Sequence, residues 1–175
     1  MNNHSTAPLL ARVLREGFHE GPWHGPAFLE LIIDLRPHEA AAHPIVGAHS
    51  IWETVAYVTA LLRAMRHRVL SPMPQSDEAI EWATVTDTSE AAWYQTLRDA
   101  QDAEARLREL LIRQDPERFS PGSTRFDAEL HRALVGVAES IAHHGGRIGM
   151  LRLALGLSPE AGPGPSRTPP SPPTS

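Results

Sequence analysis

Apolar residues recur in steps of three and four along three long segments of the chain, which is the spacing of the buried face of an α-helix. The segments run from about residue 45 or 50 to 70, from 88 to 114 and from 125 to 155. In the last segment the stripe consists of Leu130, Leu134, Val137, Ile141, His144, Ile148, Leu151 and Leu155. No segment alternates apolar and polar residues as a strand would, so the pattern predicts an all-α fold.

A further helical region is predicted near the N-terminus, where two shorter apolar stretches follow one another. The first stretch ends near Gly17 and carries Leu9, Leu10, Val13 and Leu14 on its apolar face. Glycine and proline between residues 21 and 26 interrupt this helix. The second stretch then continues it with Phe28, Leu29, Ile32 and Ile33. Four helical regions of this kind predict a four-helix bundle.

Polar residues and glycine mark the ends of the long helices. Thr88 or Ser89 is placed to cap the third helix, because a hydroxyl oxygen can accept a hydrogen bond from a free backbone N–H of the first turn. Gly156 is placed to end the fourth helix, since glycine tolerates the left-handed backbone that follows many helices.

The chain changes composition after residue 157. Almost nothing there is apolar, and seven residues are proline: Pro159, Pro163, Pro165, Pro169, Pro170, Pro172 and Pro173. Such a segment cannot bury enough surface to offset the entropy that is lost on ordering. We therefore expect a four-helix domain over 1–157 and a flexible, disordered Pro-rich tail over 158–175. Recognition of this tail by a partner domain is the alternative.

Composition excludes several kinds of chemistry and of partner. The 175 residues include no cysteine, which removes disulfides, thiolate metal sites and cysteine nucleophiles from within the chain. All 16 basic residues are arginine, which removes lysine Schiff-base catalysis. The net charge is -5 and the charges are interspersed, so no basic stripe is available for nucleic acid.

Two further patterns bear on location. No apolar run approaches the roughly 18 residues that a membrane-spanning helix needs. The N-terminus lacks the basic and apolar blocks of a signal peptide. We therefore expect a cytoplasmic protein that does not bind membranes.

Three short motifs carry a resemblance to a known family. They are Trp23-His24-Gly25-Pro26, His49-Ser50-Ile51-Trp52-Glu53 and His144-Gly145-Gly146-Arg147-Ile148. In these motifs and in helix order the chain resembles the DinB-like superfamily of bacterial four-helix bundles over roughly residues 8 to 157. The last motif departs from the family pattern at Arg147, where glutamine is usual.

This resemblance implies a metal site that is incomplete here. Metal-binding members hold a divalent ion through three histidines, and the corresponding positions are Tyr57, Ser140 and His144. A serine hydroxyl is a poor ligand for zinc or nickel, and tyrosine binds well only as a phenolate, usually to iron. We therefore expect no metal cofactor.

The alternative is a rebuilt site for zinc, nickel or iron. It would combine His144 with one or more of three other histidines: His24, His49 and His143. His143 and His144 are adjacent on a helix and point about 100° apart, so joint binding of one ion by both would need local distortion.

His144 has two interpretations. It is either a structural core histidine that bonds a group on a neighbouring helix, or part of a pocket. In a pocket it would act as a metal ligand, as a general acid or base, or with Tyr57 and Ser140 in binding a small polar ligand. The four tryptophans, at positions 23, 52, 82 and 93, are interpreted as core residues.

Three functional hypotheses follow from the residues and the resemblance. The first is a DinB-like protein that binds a small ligand, or acts in stress response, without metal and without established catalysis. The second is a metal-dependent enzyme, such as a transferase for low-molecular-weight thiols, that uses a rebuilt histidine site. The third is an interaction or scaffold protein that acts through its helix faces and tail, and the resemblance also implies a homodimer.

Overall fold

The computed structural model describes residues 6–21, 25–71, 79–115, 118–119 and 124–159. This part of the chain is all-helical and contains no strand. Its elements are α1 (Thr6–Arg15), a π-helix (Glu16–Glu20), α2 (Pro37–Ala41), α3 (Ile51–Leu70), α4 (Glu90–Ile112) and α5 (Arg125–Ala154). The predicted all-α fold class is therefore confirmed.

The three long helices begin where a side chain can cap them. Ser50 caps α3 in a reciprocal arrangement: its hydroxyl accepts from the Glu53 N–H at 3.1 Å, and the Glu53 carboxylate accepts from the Ser50 N–H at 2.7 Å. Ser89 caps α4 and Thr124 caps α5. Gly156 has φ 73° directly after the last turn of α5, so its predicted role is confirmed. The predicted cap of α4 at Ser89 is confirmed as well.

The N-terminal region differs from its prediction. α1 does not end as an ordinary helix but widens into the π-helix, which stops at Gly21 with φ 74°. The predicted helical continuation over residues 28–33 is wrong, because residues 28–34 form a series of turns. Phe28 and Ile32 are buried as expected, but Ile33 is 56% exposed. No repeating pattern of apolar residues in the sequence predicts the short helix α2.

The apolar stripes of the long helices form one core. α3 packs against α4 and α5, and α1 packs against the same two helices. All of the predicted α5 stripe is buried except Leu155, which is partly buried against the core. Among the tryptophans, Trp52 and Trp93 are 4% and 0% exposed, which confirms their interpretation as core residues. Trp23 lies outside the described residues.

Two ion-pair clusters are built into this core. The carboxylate of Glu104 on α4 is fully buried, and it accepts hydrogen bonds from Arg108 at 3.1 Å and from His19 of the π-helix at 2.9 Å. The guanidinium of Arg152 on α5 is 2% exposed and holds Asp34 at 2.7 and 2.9 Å. That contact fixes the turns over residues 28–34 against the end of α5.

The Pro-rich tail lies outside the described residues from residue 160 onward. No helix in the described ranges is long and apolar enough to cross a membrane.

Candidate functional site

Tyr57 and His144 meet at the contact between α3 and α5. Tyr57 lies on the second turn of α3, and His144 belongs to the apolar stripe of α5 that packs toward that helix. Their ring centroids are 5.1 Å apart and their planes are tilted by 60°. His144 is 5% exposed, whereas Tyr57 is half-buried. The third predicted pocket residue, Ser140, is half-buried one helical turn before His144.

Trp82 covers this pair from the segment between α3 and α4. Its indole stacks on the Tyr57 ring at 4.3 Å with 15° between the planes, and it stacks on the His49 ring at 3.7 Å with 6° between the planes. It meets the edge of the His144 ring at 5.8 Å. We call these four rings, His49, Tyr57, Trp82 and His144, the aromatic cluster.

A cation lies at the edge of the aromatic cluster. The guanidinium carbon of Arg147 is 5.6 Å from the centroid of the Trp82 ring, within the range of a cation–π contact. Arg147 also borders a shallow cavity of about 390 Å³, which His143 and the apolar side chains of Ile45 and Met150 help to line. No pattern in the sequence assigns Trp82 or Arg147 to the site, although Arg147 is the residue that departs from the family motif.

The ring of His144 is held in its neutral form. Burial has the largest effect, and the neighbouring charges of His143 and Arg147 add to it, so the pKa of His144 is lowered from 6.5 to about 4. Its Nδ1 atom is buried and has no hydrogen-bond partner in the described part of the chain. A neutral imidazole nitrogen in this position can accept or donate one hydrogen bond, depending on the tautomer.

His49 is oriented by the start of α3. Its Nδ1 atom lies 3.6 Å from the Glu53 carboxylate, which also accepts a hydrogen bond from His43 at 3.0 Å. Burial acts to raise the pKa of Glu53, but hydrogen bonds from the Ser50 backbone and from His43 outweigh it and hold the pKa below its usual range. The cap of α3 therefore keeps a carboxylate beside the His49 ring.

The residues at the predicted metal positions do not suit a divalent ion. One imidazole, one phenol whose ring is stacked on Trp82 and one aliphatic hydroxyl make a poor donor set for zinc or nickel. Among the alternative ligands, the His143 ring lies 5.2 Å from the His144 ring, and His49 is stacked on Trp82. Within the described residues no group of three or more histidine and acidic side chains is placed to hold a metal. His24 lies outside those residues.

A second cavity, of about 450 Å³, lies along the glycine-containing face of α5. Gly145 and Gly149 line it together with Phe28, Leu31 and Pro159. Gly145 is buried, and a Cβ atom there would lie 3.5 Å from the Leu31 side chain. Gly145 and Gly149 therefore give α5 a small-residue face beside the residue 28–34 turns.

In comparisons with known proteins, no family model, curated protein or solved structure matches the chain. The resemblance to the DinB-like superfamily therefore rests on the sequence motifs, and the homodimer, the cytoplasmic location and the role in stress response stay predictions.

Proposed function

We propose that the chain is a DinB-like four-helix protein that binds a small organic ligand through Tyr57, Ser140 and His144 without a metal ion. The observation that carries this proposal is the buried Nδ1 atom of His144, which has no hydrogen-bond partner among the described residues. A desolvated polar atom without a partner costs free energy, and a ligand that supplies the missing hydrogen bond recovers it. The half-buried hydroxyls of Tyr57 and Ser140 offer further polar contacts.

The helix packing supports the four-helix part of this proposal. α1, α3, α4 and α5 each pack against two others of the four, in the order α1, α4, α3, α5 and back to α1. Such a closed order is typical of a four-helix bundle, in which ligand sites form between facing helices. The candidate site lies between α3 and α5 in this arrangement.

The neutral state of His144 favours a hydrogen-bonding role. With its pKa near 4, the ring carries no charge at neutral pH and attracts no anion by itself. Its ligand contact is therefore a hydrogen bond, of the kind that orients a ligand in a mostly apolar pocket. A thiol-transferase reaction would need an ion to activate the thiol, and the donor set at the family positions is unsuited to one.

This proposal is tested by thermal unfolding with a panel of small phenols, amides and carboxylic acids as probes. We expect at least one class of probe to raise the Tm of the natural protein as its concentration increases. His144→Ala should abolish that rise, and Tyr57→Phe, which removes only a hydroxyl, should reduce it. His131→Ala is the matched control, because it removes a partly buried histidine of α5 more than three turns before His144.

Elemental analysis of the tag-free protein, purified without chelator, tests the metal-free part of the proposal. The Tyr57→His, Ser140→His double variant restores the family ligand set and serves as the positive control. We expect this variant to retain a metal and the natural protein to retain none. Near-stoichiometric zinc, nickel or iron in the natural protein, or ligand stabilisation that persists in His144→Ala, would contradict the proposal.

A further inference from the structure

The indole of Trp82 makes three of the contacts that proteins use to bind a planar aromatic ligand. The rings of His49 and Tyr57 lie nearly parallel to it, with centroids 3.7 and 4.3 Å away. The His144 ring meets it edge-on, and the Arg147 guanidinium lies 5.6 Å from its centroid. Parallel stacking, edge contact and a cation over the ring are each favourable for an aromatic ring.

Within the described part of the chain, few contacts besides these ring contacts hold the segment that carries Trp82. Residues 79–89 form no helix or strand, and most of them are exposed. Residues 79–88 make no backbone-to-backbone hydrogen bond to any described residue. Apart from Val85, which packs partly against the core, Trp82 itself is the main attachment. Segments with few buried contacts and exposed backbone open at low free-energy cost, so this indole can be displaced.

The positive charge of Arg147 beside the Trp82 ring favours an anionic ligand. Arg147 has no acidic partner among the described residues, and its contact is the face of the indole. Arg147 also lines the shallow cavity that it shares with His143, so its side chain borders open space. A guanidinium pairs with a carboxylate through two parallel hydrogen bonds, which a neutral aromatic ligand cannot supply.

We infer that the aromatic cluster binds a planar aromatic carboxylate. The ligand's ring takes the place of the Trp82 indole on Tyr57 and His49, and its carboxylate pairs with Arg147. This inference rests on the proposed function and specifies its ligand class. Trp82 then acts as an internal competitor that fills the site when the ligand is absent.

The test compares the full-length natural protein with Trp82→Gly, using indole-3-acetate, indole and cyclohexylacetate as probes in calorimetric titrations. Removing the internal competitor should tighten indole-3-acetate binding by about tenfold or more. Cyclohexylacetate carries the same charge without a planar ring and should not bind. Trp82→Phe keeps an aromatic side chain in place and should behave like the natural protein.

Arg147→Gln in the Trp82→Gly background tests the carboxylate contact. It should weaken indole-3-acetate by about tenfold and leave indole unchanged. Arg132→Gln is the matched control, since it removes an exposed arginine of the same helix. Equal losses for indole and indole-3-acetate, or no gain from Trp82→Gly, would overturn the inference.

A measurement on the natural protein covers the case in which Trp82→Gly does not fold. Benzoate should displace the indole and increase acrylamide quenching of tryptophan fluorescence, and Trp82→Phe should lack this increase. Unchanged quenching at saturating benzoate would also overturn the inference. If other probes still bind in a His144-dependent way, the ligand class is wrong and the proposed function stands; if binding is independent of His144, the proposed function fails as well.

Discussion

His144 is a titratable ring inside an apolar stripe, so its burial makes stability depend on pH. Its pKa is about 4 in the folded chain and 6.5 as the unperturbed value. Because the folded-state pKa is depressed, the unfolded chain takes up the proton first as the pH falls. The stability that the neutral ring contributes is fully present above pH 6.5 and is lost as the pH falls toward 4.

A variant without a titrating group at position 144 should therefore lose less stability than the natural protein as the pH falls. Between pH 7 and pH 4.5 the natural protein should lose roughly 2 to 3 kcal/mol more unfolding free energy than His144→Asn. Urea unfolding at the two pH values measures the difference, and His131→Asn serves as the control. Equal losses of unfolding free energy in the natural protein and His144→Asn would mean that burial does not lower the pKa of His144.

The sequence could predict part of the candidate site and not the rest. Tyr57 is assigned from its position relative to the family motifs, and His144 from the last motif and from its place in the apolar stripe; the structure brings the two rings together. Trp82 belongs to a segment without periodicity, so no spacing rule relates it to a helix face. Its stacking on His49 and Tyr57 joins residues 33 and 25 positions apart and depends on the path of a connecting segment.

At the scale of elements, the start of α3 joins helix stability to the candidate site. The hydroxyl of Ser50 is fully buried, and Glu53 both completes the cap and lies beside His49. Ser50→Ala should lower the unfolding free energy by about 1 kcal/mol or more, because it leaves the Glu53 N–H without its partner in a buried place. Urea unfolding measures the loss.

Ser89→Ala is the matched comparison for this cap. Ser89 accepts a hydrogen bond from the Ala92 N–H at 3.2 Å, but it is exposed, so water can replace the lost bond. We expect a smaller loss from Ser89→Ala than from Ser50→Ala. Equal losses of unfolding free energy in the two variants would show that burial of the α3 cap does not increase its contribution to stability.

Elements were predictable where two local signals agree. The long helices combine an apolar stripe with a capping residue, and their predicted and observed bounds lie close together. Residues 28–33 have helical spacing but no cap and no long stripe, and tertiary contacts decide their conformation. The carbonyl of Leu31 accepts from Arg152 and the carbonyl of Leu35 accepts from Trp93, so these turns are fixed by residues far along the chain.

At the scale of the whole molecule, Arg152 ties distant parts of the chain together. Its guanidinium donates to the Leu31 carbonyl, to both carboxylate oxygens of Asp34 and to the Ser158 carbonyl, at 2.7 to 2.9 Å. The hydrogen bonds from Arg152 hold the pKa of Asp34 below its usual range, against the opposing effect of burial. The two partners are unequal, because the Arg152 side chain is 2% exposed and that of Asp34 is 48% exposed.

This inequality predicts an asymmetric double-mutant cycle. Asp34→Ala leaves a buried cation with carbonyl partners alone, and after allowance for the exposure of Asp34 it should cost about 2 kcal/mol. Adding Arg152→Met removes the unpaired charge and keeps an apolar stem, so the double variant should be more stable than Asp34→Ala. Urea unfolding of the four proteins measures the coupling, and Glu129→Ala, which breaks the exposed Arg125–Glu129 pair, should change stability little. Additive losses would mean that Asp34 and Arg152 are not energetically coupled.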